Sequence, residues 1–250
     1  MSSESKNGIT PGKFDRLISD VANYLEYQRD EGVREIEIDP DTLKELKVIP
    51  ESRSSRTVGS ISGLEEIAGR VAGCRKCPLC ESRNRTVPGQ GSSNPDIMFI
   101  GEGPGADEDR QGLAFVGRAG QLLTRIIEAM GLTRDEVWIG NIVKCRPPGN
   151  RAPHPDEMEA CLPYLREQVA LLKPKVIVTL GATAVKGLLD VKTGITKLRG
   201  NWLSFEEIDV MPTFHPAYLL RNPAGKRDVW EDMKAVLHRL DRKPPERKSR

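Results

Sequence analysis

Three apolar runs of this sequence lead into side chains that can bind a ligand or move charge. The first run ends at the segment Gly101-Glu102-Gly103, the second contains Asn141, and the third is followed by His215. Glycine lets a ligand approach the backbone closely, an amide offers a hydrogen-bond donor and an acceptor, and an imidazole can donate a proton or a hydrogen bond. We expect a binding or catalytic site if the fold brings these segments together.

The loop after the first run is rich in glycine and acidic residues. Gly101, Gly103 and Gly105 are followed by the acidic run at 107–109. A dinucleotide-binding loop is one interpretation, but Pro104 and the acidic run disfavour a pyrophosphate at a helix N-terminus. An ordinary glycine-rich turn is the alternative, because glycine motifs alone are weak signals.

Phe115 and Asn141 each have a functional and a structural interpretation. Phe115 follows the glycine-rich loop, so its ring either stacks on a planar base or packs into the core. Asn141 lies in an apolar run, where an unsatisfied amide costs ~1–3 kcal/mol, so it either ties down a loop or binds a ligand. Its donor and acceptor match the O4 and N3–H edge of uracil, whereas cytosine presents the reversed pattern.

His215 is the histidine best placed for chemistry. It follows the last apolar run, whereas His154 lies in a polar loop and His238 near the C-terminus. If a base leaves its sugar as an anion, a hydrogen-bond donor aimed at a base oxygen lowers the barrier. His215 is the candidate for that donor.

Five cysteines indicate a metal or cluster site rather than disulfides, because their number is odd and the chain reads as cytosolic. They are Cys74, Cys77, Cys80, Cys145 and Cys161. Spacing alone does not separate a four-thiolate zinc site from an iron–sulfur cluster, although the interval between the last two is unlike a zinc ribbon. Cys80 is more simply an extra thiol than a ligand.

Strands and helices alternate along the segment that must position these residues. Four β-rich apolar runs, at 97–101, 137–143, 176–180 and 210–214, predict buried parallel strands. Helical patterns are at 119–130, 155–172, 182–189 and 226–240. The alternation predicts an open parallel sheet with helices on both faces. Ligands of such sheets bind beyond the carboxyl ends of the strands.

The remaining chain divides into an extension and a tail. Apolar residues recur at helical spacing between Phe14 and Leu25, and the Ser- and Arg-rich stretch 51–60 predicts a flexible linker. Ser62 and Glu65 fit a capping box at the start of a short helix. We expect a helical extension and linker over 1–61, the main domain over 62–240 and a basic tail over 241–250.

The composition favours a soluble protein and does not by itself indicate a binding partner. No run approaches the ~18 apolar residues of a membrane span, and the first residues lack the apolar centre of a secretory signal. We expect a cytoplasmic, nucleoid-associated monomer without membrane contact. The formal net charge is +2, so any contact with nucleic acid depends on local placement of Arg and Lys.

Four segments, in order, carry a resemblance: GEGPGADEDRQGLAFVGRAGQLL, NIVKCRPPGNR, LGATA and HPAYLLR. Together they resemble the family 4 uracil-DNA glycosylases, over about 74–240, and the ordered combination is specific although each part alone is not. The resemblance implies a three-layer α/β/α sandwich with a central four-stranded parallel sheet. It also implies hydrolysis of the N-glycosidic bond of uracil flipped out of single- or double-stranded DNA.

The resemblance also implies a role for each matching residue. Phe115 would stack on the flipped base, Asn141 would read its Watson–Crick edge and His215 would donate to a uracil oxygen. Glu102 and Gly103 would shape the loop beside the sugar. A structural [4Fe–4S] cluster would be ligated by four of the cysteines: Cys74, Cys77, Cys145 and Cys161.

Two positions depart from the better known family 1 enzymes. Those enzymes have an aspartate in place of Gly103, which positions the attacking water, and a tyrosine in place of Gly105, which blocks the thymine methyl. Glu102 is then the first candidate for the partner of the water and Glu108 the second. We also assign the exclusion of thymine to Glu108.

Contacts with DNA are expected from residues around the same segments. The candidates for phosphate contacts are Arg118, Lys144, Arg146 and Arg221, with a solvated charged surface as the alternative. Leu219 is a candidate wedge for the gap left by the flipped base, with a core leucine as the alternative. The N-terminal extension is a candidate docking site for a replication or repair protein.

Two other functions stay open. One is a relative that bonds covalently to the abasic sugar through a histidine after the second strand, where this chain has the short turn 147–150 and then His154. The other is a non-catalytic iron–sulfur module that binds DNA.

Overall fold

A six-stranded sheet forms the centre of the protein in a computed structural model, which describes residues 51–245, with backbone alone for 51–61. The predicted helix near 14–25 and the last residues of the tail lie outside the described range. The strands are β1 (Gln90–Gly91), β2 (Ile97–Gly101), β3 (Trp138–Asn141), β4 (Val176–Leu180), β5 (Leu203–Phe205) and β6 (Ile208–Thr213).

The sheet has the order β1-β3-β2-β4-β6-β5. Its four central strands are parallel, as predicted, and the two edge strands pair antiparallel with β3 and β6. The predicted four-stranded parallel sheet is therefore confirmed, and two short antiparallel strands extend it to six. The edge strands have two and three residues, which is too short to show an alternating pattern in the sequence.

Nine α-helices accompany the sheet in the described residues. They are α1 (Glu51–Ala72), α2 (Leu79–Ser82), α3 (Ala106–Gln111), α4 (Arg118–Ala129), α5 (Pro155–Leu172), α6 (Ala182–Leu189), α7 (Ile195–Leu198), α8 (Pro216–Arg221) and α9 (Gly225–Arg239). Two 3-10 turns lie at Arg134–Glu136 and Pro148–Asn150. The four predicted helices correspond to α4, α5, α6 and α9, with ends that agree to within one residue.

Helices cover both faces of the sheet, which confirms the three-layer α/β/α sandwich. Side chains alternate along β2 because successive residues of a strand point to opposite faces. Ile97 and Phe99 lie in one core cluster with residues of α4 and α9, and Met98 and Ile100 lie in a second cluster with residues of α1, α5 and α6.

The N-terminal boundary differs from the prediction. Helix α1 begins at Glu51 and runs through Ser62, so the predicted linker at 51–60 has helical backbone and the predicted capping box falls inside the helix. Ile67 and Val71, one helical turn apart, are buried in the core and anchor this helix on the domain. The compact unit that holds the sheet starts at Ser52 rather than at 62.

The parallel register brings the polar strand ends to one edge of the sheet. Gly101 at the end of β2 pairs with Asn141 at the end of β3, and Leu180 pairs with Thr213, two residues before His215. None of the helices in residues 51–245 combines the length and apolar character needed to cross a membrane.

Candidate active site

A pocket of about 590 Å³ opens beyond the carboxyl ends of the parallel strands. We call it the strand-end pocket. Its lining includes the residues that the sequence singled out: Glu102, Gly103, Glu108, Phe115, Asn141 and His215. The volume is typical of small-molecule sites. The structure therefore brings together, in one cavity, side chains that are up to about a hundred positions apart in the chain.

Asn141 presents an unsatisfied amide beside this pocket. The side chain is 1% exposed, and neither Oδ1 nor Nδ2 has a hydrogen-bond partner within the described part of the chain. An amide buried without partners costs ~1–3 kcal/mol, a cost that a ligand with a complementary donor and acceptor would remove. The structural alternative, an asparagine whose side chain ties down a neighbouring loop, is not what these residues show.

Phe115 lies against the same amide because residue 101 is a glycine. A Cβ added at Gly101 would be 2.5 Å from both Asn141 Oδ1 and Phe115 Cζ. The Phe115 ring is buried in the core cluster of α4 and α9 and its centroid is 5.8 Å from that of the His215 ring, with 34° between the planes. Phe115 is thus a core residue and a pocket wall at once.

The acidic run of the glycine-rich loop has structural partners. The Glu108 carboxylate accepts hydrogen bonds from the backbone N–H groups of Val116 and Gly117, both at 2.9 Å, and from Gly105 at 3.2 Å. Asp109 is buried and accepts from the backbone and side chain of Asn84. The glycine-rich loop does lead into a helix, α3. The carboxylates of Glu108 and Asp109 anchor that helix to neighbouring loops.

His215 is held as a neutral hydrogen-bond donor. Its Nδ1 accepts a hydrogen bond of 3.0 Å from the backbone N–H of Ala217, so Nδ1 carries no proton and the neutral ring carries its proton on Nε2. Burial, with a smaller contribution from the charge of Arg221, lowers the pKa of His215 to about 4.

A buried ionic network fixes the strand that leads to His215. Asp232 on α9 accepts a 2.6 Å hydrogen bond from the Thr213 hydroxyl and forms an ion pair with Arg199. The Arg199 guanidinium also donates to the carbonyl of Asp228 at 2.7 Å. Since a buried charge without its partner is strongly destabilising, this network holds the end of β6 in place.

Comparison with known proteins then assigns the family. The profile of the Uracil DNA glycosylase superfamily matches residues 88–234. A protein named Type-4 uracil-DNA glycosylase from Sulfurisphaera tokodaii is 46% identical over 185 residues, which cover 70% of this chain and 84% of that protein. This chain belongs to the type-4 uracil-DNA glycosylases. Proteins of the same name from Thermotoga maritima and Saccharolobus solfataricus are 48% identical over 176 residues and 45% identical over 193 residues. Those matches cover 68% and 74% of this chain, and 91% and 89% of the two relatives.

The surroundings of Lys144 in this type-4 glycosylase do not favour the contact with a DNA phosphate that the sequence predicts. The residue is buried, and its Nζ donates to the backbone oxygen of Asn141 at 2.9 Å and to Gln168 Oε1 at 2.8 Å. Burial lowers the pKa of Lys144 to about 8. Its ammonium supports the strand end that carries Asn141 instead of reaching a phosphate.

The position of Leu219 favours the core alternative over the predicted wedge. It is fully buried in the core, because the helical period of α8 turns it inward and turns its neighbours outward. Tyr218 is 39% exposed and Leu220 is 37% exposed. Tyr218 also lines the strand-end pocket, and no sequence pattern distinguishes it from its neighbours.

The three predicted arginines have different positions. Arg118 and Arg221 line the strand-end pocket. Arg146 is not among its lining residues, but it donates to Oδ1 of the lining residue Asn150 at 2.8 Å. Arg151, which is not among the predicted contacts, also lines the pocket and forms an ion pair with the buried Glu157. Arg118, Arg151 and Arg221 therefore line the same pocket as the acidic residues Glu102, Asp107 and Glu108.

The five cysteines line a second cavity, which we call the cysteine cavity. As they stand, no three His, Cys, Asp or Glu side chains of residues 62–245 are arranged to hold a metal ion. Two donors already point at sulfur: Arg83 Nη1 is 3.2 Å from Cys145 Sγ, and the backbone N–H of Lys144 is 3.3 Å from Cys161 Sγ. Burial raises the pKa of the Cys161 thiol to about 11.

Proposed function

We propose that this protein is a DNA repair glycosylase that extrudes deoxyuridine and hydrolyses its N-glycosidic bond, leaving free uracil and an abasic site. The observation that carries the proposal is the buried, unpartnered amide of Asn141 in a pocket shared with Phe115 and His215. Membership of the type-4 family supports it.

Recognition of uracil follows from the amide. In the proposed complex, Asn141 Oδ1 accepts from N3–H and Nδ2 donates to O4, which satisfies both orphaned atoms at once. Phe115 supplies the face on which the ring stacks. Cytosine would place a donor opposite Nδ2 and an acceptor opposite Oδ1, so both contacts would become unfavourable.

Bond cleavage relies on stabilising the departing base. The N1–C1′ bond breaks with its electrons going to uracil, and the negative charge spreads to O2. The Nε2–H of neutral His215 donates to that oxygen, and such a donor in a dry site is worth about 10²–10³ in rate. A water molecule bonds to C1′ and gives up a proton, for which Glu102 is the proposed acceptor.

Glu108 has a different proposed role from Glu102. Its carboxylate already accepts three backbone hydrogen bonds, so we assign it to shaping the pocket rather than to activating water. A Cβ at Gly105 would be 2.7 Å from Glu108 Oε2, so the carboxylate fills the space beside Gly105. We propose that it excludes the thymine methyl there, while Gly103 gives the sugar room.

The cysteine cavity fits a [4Fe–4S] cluster by the chemistry of its donors. Five thiols line it, and two N–H donors reach sulfur, as hydrogen bonds do in iron–sulfur sites. We propose that Cys74, Cys77, Cys145 and Cys161 hold the cluster and that Cys80 is not a ligand. The cluster would supply a structural cross-link between the N-terminal segment, the loop after β3 and helix α5.

Contacts with DNA are proposed for the rim of the strand-end pocket. Arg118, Arg146 and Arg221 would bind phosphates flanking the extruded nucleotide. Tyr218 takes the place proposed from the sequence for Leu219, because it is exposed and lines the pocket. We further propose a monomer that acts in the cytoplasm on the nucleoid, with residues 1–61 as a docking segment for a repair or replication protein.

A uracil-excision assay on labelled single-stranded and double-stranded oligonucleotides tests the function. We expect cleavage at deoxyuridine, with deoxycytidine and thymidine left intact. An adduct with DNA that survives heat and detergent would instead favour the covalent alternative. That alternative needs a histidine after the second predicted strand, and His154, the histidine found there, forms the N-cap of α5. Intact glycosidic bonds in every substrate would favour a non-catalytic DNA-binding module.

A further inference from the structure

Phe115 has an unusual backbone conformation for its residue type. Its φ is +52°, in the left-handed region that L-residues with a Cβ rarely adopt. Such a conformation persists only where the surroundings impose it. The direction of the Phe115 ring, and with it the wall of the strand-end pocket, therefore depends on whatever fixes this backbone.

The guanidinium of Arg134 holds the carbonyl side of this backbone, while Glu108 accepts from the following N–H, that of Val116, at 2.9 Å. Arg134 opens the 3-10 turn before β3. Its Nη2 donates to the carbonyl of Ala114 at 2.7 Å, and its Nη1 donates to the carbonyl of Phe115 at 3.1 Å. Two hydrogen bonds from one rigid, planar fork fix the orientation of two consecutive peptide groups.

Helix α4 completes this clamp. Arg134 Nη1 also donates to the Thr124 hydroxyl at 3.1 Å, and that hydroxyl donates to the carbonyl of Gly120 at 3.1 Å. A Cβ at Gly120 would lie 1.9 Å from the Phe115 oxygen. The helix therefore packs directly on the carbonyl that Arg134 holds, and no other residue type at position 120 allows that approach.

We propose that Arg134 is a positioning residue for base recognition, which acts by holding Phe115 in its left-handed conformation. The inference rests on the proposed function, because it assumes that Phe115 stacks on the extruded uracil. Arg134 itself is not among the residues that line the strand-end pocket, so its effect on excision passes through Phe115.

A double-mutant cycle with Arg134→Met and Phe115→Ala tests this role. We expect Arg134→Met to slow single-turnover excision about tenfold, in keeping with the cost of misplacing a group at a reacting site by a fraction of an ångström. In the Phe115→Ala background the same substitution should change the rate less than twofold. A residue that only stabilises the fold would slow both backgrounds equally.

Free uracil provides a second readout, because it binds the pocket as product. Arg134→Met should raise its inhibition constant by the same factor as it slows excision. Arg134→Lys, which keeps the charge and one donor toward the carbonyls, should recover part of both losses, and it keeps the cycle measurable if the Met variant does not fold. Arg125→Met is the matched control, since Arg125 is exposed on α4; it should leave rate and inhibition unchanged.

The outcomes separate the two proposals. If Phe115→Ala excises uracil as fast as the unaltered protein, stacking on Phe115 is wrong and the role of Arg134 falls with it. If Phe115→Ala is slow but Arg134→Met is equally harmful in both backgrounds, the stacking role stands and only the positioning role is overturned.

Discussion

Replacing Asn141 by aspartate changes one atom of the proposed base-reading amide and should change what the pocket accepts. The buried Nδ2, which has no partner in the described residues, would be replaced by an oxygen. That oxygen cannot donate to uracil O4, and two acceptors would then face each other at a buried position.

The magnitude follows from the burial of the site. A buried polar group left unsatisfied costs ~1–3 kcal/mol, and here both the side chain and uracil O4 would be unsatisfied. We expect kcat/KM for uracil to fall by about 10²–10³, which corresponds to ~3–4 kcal/mol. A protonated aspartate presents an acceptor and a donor in the order that cytosine needs, so excision of cytosine should become detectable.

The assay is single-turnover excision on matched oligonucleotides with uracil or cytosine at one position. Asn201→Asp is the control, because Asn201 is exposed and its amide donates to the backbone carbonyls of Lys197 and Arg199. It should leave the rate unchanged. Unaltered selectivity and rate in Asn141→Asp would refute the assignment of the amide to base reading.

Four further outcomes follow from the same structure. His215→Ala should slow excision by 10² or more, the cost of one oxyanion donor; an unchanged single-turnover rate would remove His215 from the mechanism. Because the folded pKa of His215 is about 4 and the unfolded value about 6.5, the unfolded chain binds the extra proton first as pH falls. The free energy of unfolding should therefore decrease by about 2 kcal/mol from pH 7 to pH 5, and urea titrations of His215→Asn should lack this component. Lys144→Met should lower the free energy of unfolding by ~1–3 kcal/mol, because the Asn141 carbonyl and Gln168 lose a buried donor; a purely DNA-binding defect with full stability would contradict it. Leu219→Ala should cost ~2–5 kcal/mol of stability. Tyr218→Ala should cost less, about 0.5–1.5 kcal/mol, because it loses the ring contact with Phe214, and it should weaken binding to uracil-containing duplex.

The layered fold is readable in the sequence because its buried strands and long helices have strong patterns. The four central strands and α4, α5, α6 and α9 appear where apolar runs and helical spacing place them. The edge strands β1 and β5 carry no such pattern, since two or three residues do not make a period. The sequence predicts a linker where helix α1 begins because the first turns are rich in Ser and Arg, while the apolar residues that anchor the helix lie near its end.

Within the site, residue types and their positions after the strands predicted which segments line the pocket. The burial of individual side chains could not be predicted in the same way. Phe115, Asn141 and His215 converge because parallel strands end at one edge of the sheet. Lys144 looked like a phosphate contact because lysines are usually exposed, and only the structure places its ammonium beneath Asn141. The phase of one short helix, α8, buries Leu219 and exposes Tyr218, and six residues do not define that phase in the sequence.

The central claim is that one pocket holds an extruded uracil between an aromatic ring, an amide and an imidazole. A crystal structure with free uracil bound tests it most directly. We expect the base to stack on Phe115, with N3 and O4 within hydrogen-bond distance of the Asn141 amide and O2 within reach of His215 Nε2. Uracil bound elsewhere, or bound here with the Asn141 amide still unpaired, would contradict the account.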